Sequence, residues 1–119
     1  MTEITNKTYD LEERTLNFAK EITRLCRNLS KTTVNIELVR QLVRSGSSVG
    51  ANYREANEAL GKKDFAHRMR ITRKEAKETS YWLELIQEAN SDFEENIRPL
   101  LQESKELRNI FSSIIDKTM

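Results

Sequence analysis

Residues 46–50 read Gly-Ser-Ser-Val-Gly. They fit the G-x-S-x-G pattern of a hydrolase nucleophile elbow, with Ser48 in the nucleophile's place. That chemistry needs a strand before the serine, a sharp turn and a histidine base within reach. Residues 35–44 instead carry helical periodicity, and the chain holds one histidine, His67. A phosphate loop of the form G-x-x-x-x-G-K-[ST] fails too, because Gly46 and Gly50 stand one residue too close and no Lys-Ser or Lys-Thr follows. A di-iron bundle needs Glu-x-x-His motifs on two helices. The nearest pattern is one Asp64-x-x-His67 at a helix start, where Asp64 reads as a cap. Adjacent carboxylates such as Glu12/Glu13 and Glu94/Glu95 diverge around a helix surface and do not pair for acid–base work. The residues therefore argue against an enzyme: no catalytic residue, metal ligand or cofactor is expected.

One constellation remains. Lys63, His67, Arg70, Lys74 and Lys77 recur at spacings of 4, 3, 4 and 3, opposite the apolar stripe of the same segment. Such a row is either a solvated helix face or a surface for phosphates. Phosphate contacts need cations at repeated spacing and carry no base information. Net charge is only +1, so the whole chain shows no polyanion-binding balance. The distribution is less even. Residues 62–78 hold seven Lys or Arg against three acids, a local +4, and residues 84–106 hold seven acids against two bases, a local −5. One such stripe would bind weakly, whereas copies repeated around an oligomer would gain avidity.

The elements that must position these residues are helices. One proline and three glycines in 119 residues, with 33% charged and 37% hydrophobic residues, fit one helical domain over 1–119. No apolar run approaches the ~18 residues of a membrane span. The polar N-terminus lacks the apolar stretch of a signal peptide, so a cytoplasmic location and no membrane partner are expected. Cys26 cannot pair internally and lies beside an apolar stripe, as a packed thiol would.

Apolar spacing predicts helices at about 10–30, 35–60, 64–90 and 92–116. The first opens on an Asp10/Glu13 capping box and carries Leu11, Thr15, Phe18, Ile22, Leu25 and Leu29 at 4,3-type spacing. The second has two seams: Leu38, Leu42, Val49, Tyr53 or Ala56, and Leu60; then Ile36, Val39, Val43 and Gly50. Gly61 reads as its stop. The third opens at Asp64, with a core face of Phe65, Met69, Thr72, Ala76, Thr79, Leu83 and Ile86. A second set, Ile71, Trp82, Leu85 and Ala89, lies round from that face and suggests a partner. The fourth carries Ile97, Leu100, Ser104, Leu107, Phe111 and Ile114 behind a Ser91/Glu94 capping box. Pro99 either kinks it or marks a start near Ile97. No period-2 alternation or Asn-Gly or Asp-Gly turn points to a sheet. The expected fold is all-α, an antiparallel up-down four-helix bundle.

In that setting, 45–51 is a waist of small residues, Ser45, Gly46, Ser47, Ser48, Gly50 and Ala51 around Val49. Each mid-helix glycine costs ~1 kcal/mol against alanine, so close packing by a backbone, or by Trp82 or Phe18, is expected there. Arg44, Asn52 and Glu55 are the polar candidates for packing or assembly, with Asn52 a register-setting group if buried.

Gln41–Ala56 and Asp64–Ile86 resemble the bacterial four-helix-bundle proteins encoded in intervening sequences of 23S ribosomal RNA genes. The matching residues are Arg44-Ser45, Asn52 with Glu55-Ala56, Phe65, Lys74-Glu75-Ala76, Glu78-Thr79 and Tyr81-Trp82-Leu83. Ala56 departs from a frequent glycine. The resemblance implies an antiparallel bundle, a homopentamer and no established enzymatic activity. A related branch serves as accessory proteins of reverse transcriptases in diversity-generating retroelements, where a basic pentamer binds nucleic acid; the near-neutral charge here favours the plain branch. The functional expectation is a non-enzymatic homo-oligomer that associates with RNA or a ribonucleoprotein through the basic stripe. The alternative is a protein-interaction scaffold that binds no nucleic acid and presents the acidic surface of helix four.

Overall fold

A computed structural model describes the backbone over residues 3–118 and the side chains over residues 11–118. Four helices follow one another: α1 (Glu3–Asn28), α2 (Thr33–Asn57), α3 (Lys62–Ala89) and α4 (Glu94–Thr118), with one 3-10 turn, Ser91–Phe93, leading into α4. There is no strand among the described residues. The helices form an antiparallel up-down bundle 45 Å long and 29 by 19 Å across. Cross-helix contacts run in opposite directions along each neighbouring pair. Asn35 meets Asn90 while Arg44 meets Glu78 between α2 and α3. Between α3 and α4, Arg73 meets Ser112 while Ser80 meets Ser104.

The heptad-like stripes are the core. The five stripe positions of α1, Leu11, Thr15, Phe18, Ile22 and Leu25, are buried, and so is Leu29, one residue past the helix end. So are Leu42, Val49, Tyr53 and Ala56 of α2, Met69, Thr72, Ala76, Thr79, Leu83 and Ile86 of α3, and Ile97, Leu100, Ser104, Leu107 and Phe111 of α4. Tyr53 stacks on Phe111 with ring centroids 6.2 Å apart. Each fully buried Leu, Ile, Met or Phe contributes roughly 1.5–3 kcal/mol, far more than any cap or surface pair in this chain. The face-by-face agreement follows from the 3.6-residue turn, which a core between four helices samples at alternating steps of three and four.

Helix ends differ from the sequence expectation. The α1 backbone is helical from Glu3, so Asp10 is internal and not a cap. No proline or glycine interrupts residues 3–9, and a good capping residue does not by itself start a helix. The side chain of Asp10 lies outside the described ones. In α2, Thr32 is the N-cap and its Oγ1 accepts the Asn35 amide at 3.0 Å. The helix stops at Asn57, which leaves Leu60 97% exposed in the turn instead of on the core seam. Gly61 therefore precedes α3 and does not end α2. Asp64 sits in the first turn of α3, where its carboxylate accepts the Leu60 amide at 3.4 Å and pairs with Arg68 at 3.7 Å. The Ser91 carbonyl, and not a side-chain capping box, accepts the Glu94 amide. Pro99 lies inside α4, so the helix does not begin at Ile97. On α4, Ile115 is buried and Ile114 half-buried, a one-residue shift of the stripe near its end.

Three polar contacts pin the register. The amides of Asn35 and Asn90 exchange reciprocal hydrogen bonds of 2.9 Å, and Asn35 Nδ2 also reaches the Ser30 carbonyl at 2.8 Å. The Ser45 and Thr79 hydroxyls meet at 3.1 Å, and those of Ser80 and Ser104 at 2.6 Å. Buried polar groups of this kind favour one alignment because any slip leaves them unpaired.

Candidate nucleic-acid interface

The stripe on α3 is built by helix geometry alone. A rise of 1.5 Å per residue spreads positions 63 to 81 over about 27 Å. Lys63, His67, Arg70, Lys74 and Lys77 are all exposed. They lie opposite buried Met69, Thr72, Ala76 and Thr79, so packing the core turns this row outward. Among the described residues no carboxylate forms an ion pair with Lys63, Lys74 or Lys77. Two other bases of the segment differ. Arg68 is held by Asp64, and Arg73 reaches the Ser112 hydroxyl at 3.4 Å. Around the middle of the stripe, a shallow depression of about 370 Å³ is lined by Arg70, Arg73, Lys74, Lys77, Glu78 and Tyr81. The arrangement can hold phosphates at several points along one face. It assembles no nucleophile with a base.

Beside the stripe, Arg44 of α2 crosses to α3. It donates to Glu78 at 3.3 Å and lies 3.9 Å from Glu75. Burial pushes the Glu75 carboxyl up from its ordinary range, with the charge of Glu78 adding to the shift and Arg44 and Lys74 opposing it. Glu75 Oε1 and Trp82 Nε1 are both buried without a hydrogen-bond partner. Ile71, Trp82 and Leu85 are half-buried along the same side of α3, and Trp82 packs onto the core cluster. Ile71-Glu75-Glu78-Trp82-Leu85 thus forms a second 4,3,4,3 row, about 80° round from the cations at 100° per residue.

The waist has two occupants. A Cβ on Gly46 would stand 2.5 Å from Ile22 Cδ1, and one on Gly50 would stand 3.0 Å from Thr15 Oγ1. The glycines therefore admit α1, with Ile22 and Thr15 in closest approach. Ser45 faces the other way, toward Thr79. Ser48 sits in mid-helix with its hydroxyl bonded to the Arg44 carbonyl at 2.7 Å, so no strand-turn elbow presents it. Asn52 is half-buried and bonds back to the Ser48 carbonyl at 2.8 Å, within its own helix. Register is held instead by Asn35 and Asn90, whose pairing is visible only once α2 and α3 are aligned. Glu55 is exposed. On the α1-facing side of α2, Ile36 and Val43 are 53% and 37% exposed, with Val39 half-buried between them.

The acidic segment is partly neutralised within the bundle. Arg14 of α1 forks onto Glu103 at 2.7 and 2.9 Å and also reaches Glu106 at 2.9 Å. Hydrogen bonding to Glu103 raises the Arg14 pKa against the cost of its burial. These contacts border a groove of about 450 Å³ between α1 and α4, away from the basic stripe. Cys26 is half-buried and burial pushes its thiol up to about 11, which leaves little thiolate at neutral pH. No helix among the described residues is long and apolar enough to cross a membrane.

Comparison with known proteins agrees with this architecture. Among curated proteins none matches the chain. A crystal structure of a protein of unknown function from the S23 ribosomal protein family of Bacteroides thetaiotaomicron VPI-5482 is similar, with a TM-score of 0.79 and 36% identity over 88% of this chain and 97% of that one. The family model for 23S rRNA-intervening sequence proteins matches residues 7–113. With nearly the whole bundle inside that match, the chain belongs to the 23S rRNA-intervening sequence protein family.

Proposed function

We propose that this protein is a non-enzymatic, homo-oligomeric helical module that associates with RNA or a ribonucleoprotein through the basic stripe of α3. The observation that carries the reading is the stripe itself: Lys63, His67, Arg70, Lys74 and Lys77 form an exposed row that the bundle does not need for its own packing. Among the described residues Lys63, Lys74 and Lys77 form no ion pair, and like charges at this spacing cost the fold a little self-repulsion. A polyanion gives them a use. Self-association is supported by the apolar row Ile36, Val39 and Val43 on α2, which the core leaves partly open; the family resemblance implies five copies. Repetition of a weak stripe around such an assembly would raise its avidity. The scaffold alternative draws less support, because Arg14 already engages Glu103 and Glu106 of the acidic surface.

A salt series with a structured RNA fragment tests the reading. Log affinity should fall linearly with log salt, by roughly 0.7–0.9 per phosphate contact. The double variant Arg70→Glu/Lys74→Glu should fold normally and lose binding. Binding that ignores salt, or none near physiological salt, would overturn the RNA part. Sedimentation tests assembly separately: a stable monomer at micromolar concentration would contradict it.

A further inference from the structure

The row of cations does not end at Lys77. The next step of four residues is Tyr81, which continues the 4,3,4,3 series as 63, 67, 70, 74, 77, 81. Its side chain is 59% exposed, although tyrosine in a monomeric bundle gains most by burial. The ring is not loose. It forms a T-shaped pair with Trp82, centroids 5.0 Å apart and planes at 77°, and Trp82 is itself packed on the core. Tyr81 also borders the basic depression of Arg70, Arg73, Lys74 and Lys77. The one acid of that depression, Glu78, is engaged by Arg44 from α2, which reduces its repulsion of an incoming phosphate.

From this juxtaposition we infer that the stripe takes an unpaired RNA segment, with phosphates on the cations and one base stacked on the Tyr81 ring. A row of cations alone would serve a duplex equally well. An exposed, braced aromatic at the end of the row offers a π-face, and a base can reach it only when it is free of a paired partner. The contact is sequence-tolerant because every base has such a face. This inference rests on the RNA reading of the stripe, and its test separates the two.

The experiment measures binding of the full chain to a fluorescent 12-nucleotide oligo(A) and to a 12-base-pair RNA duplex over the same series of salt concentrations. Wild-type protein should prefer the single strand. Tyr81→Ala should weaken single-strand binding roughly 5- to 150-fold while leaving the salt slope and the duplex affinity unchanged. Tyr81→Phe should bind like wild type, and Tyr81→Leu, which keeps apolar bulk without the π-system, should resemble the alanine variant. Equal affinities of wild type, Tyr81→Ala and Tyr81→Leu for oligo(A), with binding lost in Arg70→Glu/Lys74→Glu, would overturn the stacking role and leave the phosphate stripe standing. A preference for the duplex would overturn it as well. If neither RNA binds, both readings fail and a protein partner takes their place.

Discussion

Replacing Gly46 by alanine separates two opposing effects whose sizes can be worked out in advance. An alanine in the middle of a helix is favoured over glycine by about 1 kcal/mol. Against this, the added methyl would lie 2.5 Å from Ile22 Cδ1, at least 1 Å inside the ~3.5–4.0 Å separation of carbon atoms in contact. Ile22 is 1% exposed within the core cluster, so Cδ1, the far end of its side chain, must shift against buried neighbours for the methyl to fit. Overpacking of this kind costs about 1–3 kcal/mol. Gly46→Ala should therefore change stability by between nothing and a loss of ~2 kcal/mol, despite its better helix propensity. Ile22→Val removes the offending atom and alone costs ~0.5–1.5 kcal/mol. The next nearest atoms, Cγ2 and Cγ1 of residue 22, stand at 3.6 and 3.7 Å, which is ordinary contact. In the Ile22→Val background the same Gly46→Ala change should thus stabilise by up to ~1 kcal/mol. The two substitutions should couple by about 1–3 kcal/mol. Urea denaturation of the four proteins, at one protein concentration, measures that coupling. The reasoning fails if Gly46→Ala stabilises the parent protein, or if the two effects add within ~0.5 kcal/mol.

Two further outcomes follow from other contacts. Asn90→Ala leaves the 3%-exposed Asn35 amide without its reciprocal partner and should cost about 1–3 kcal/mol in thermal unfolding; an unchanged midpoint would show that the pair does not hold α2 to α3. Glu75 has a raised pKa in the folded chain, so the folded state binds its proton more tightly than the unfolded state does. Its favourable contribution is full below the ordinary carboxylate pKa and disappears as pH rises through the folded value. Glu75→Gln should accordingly gain on the parent protein between pH 4 and pH 7 in denaturant titrations. A gain that is equal at both pH values, or larger at pH 4, would contradict the assigned burial effect.

The four core stripes were legible because each depends only on the turn of its own helix. Leu11 through Leu29 are the plainest case, and every one is buried. Leu60 was misleading for the same reason: it continues the spacing of α2, but the backbone leaves the helix at Asn57 and spacing carries no signal of that exit. Contacts that need two helices in register were not legible. The small residues at 45–51 announced a close approach, yet Ile22 and Thr15 as its partners require the alignment of α1 against α2. The same holds for Asn35 with Asn90 and for Arg14 with Glu103. Within the candidate interface the cations were readable from one helix. Tyr81 lies on the same arithmetic series, but nothing in the spacing says that it stays exposed and braced while its neighbour Trp82 turns inward.

The central claim is that RNA meets this protein on the outer face of α3. Ultraviolet crosslinking of a photoreactive RNA to the native protein, with the adducts located by mass spectrometry, tests it most directly. Adducts should concentrate between Lys63 and Tyr81, with α1 and α4 unmodified, and should disappear as salt is raised. Adducts centred on the Arg14–Glu103 groove, or a pattern unchanged by Arg70→Glu/Lys74→Glu, would contradict the account.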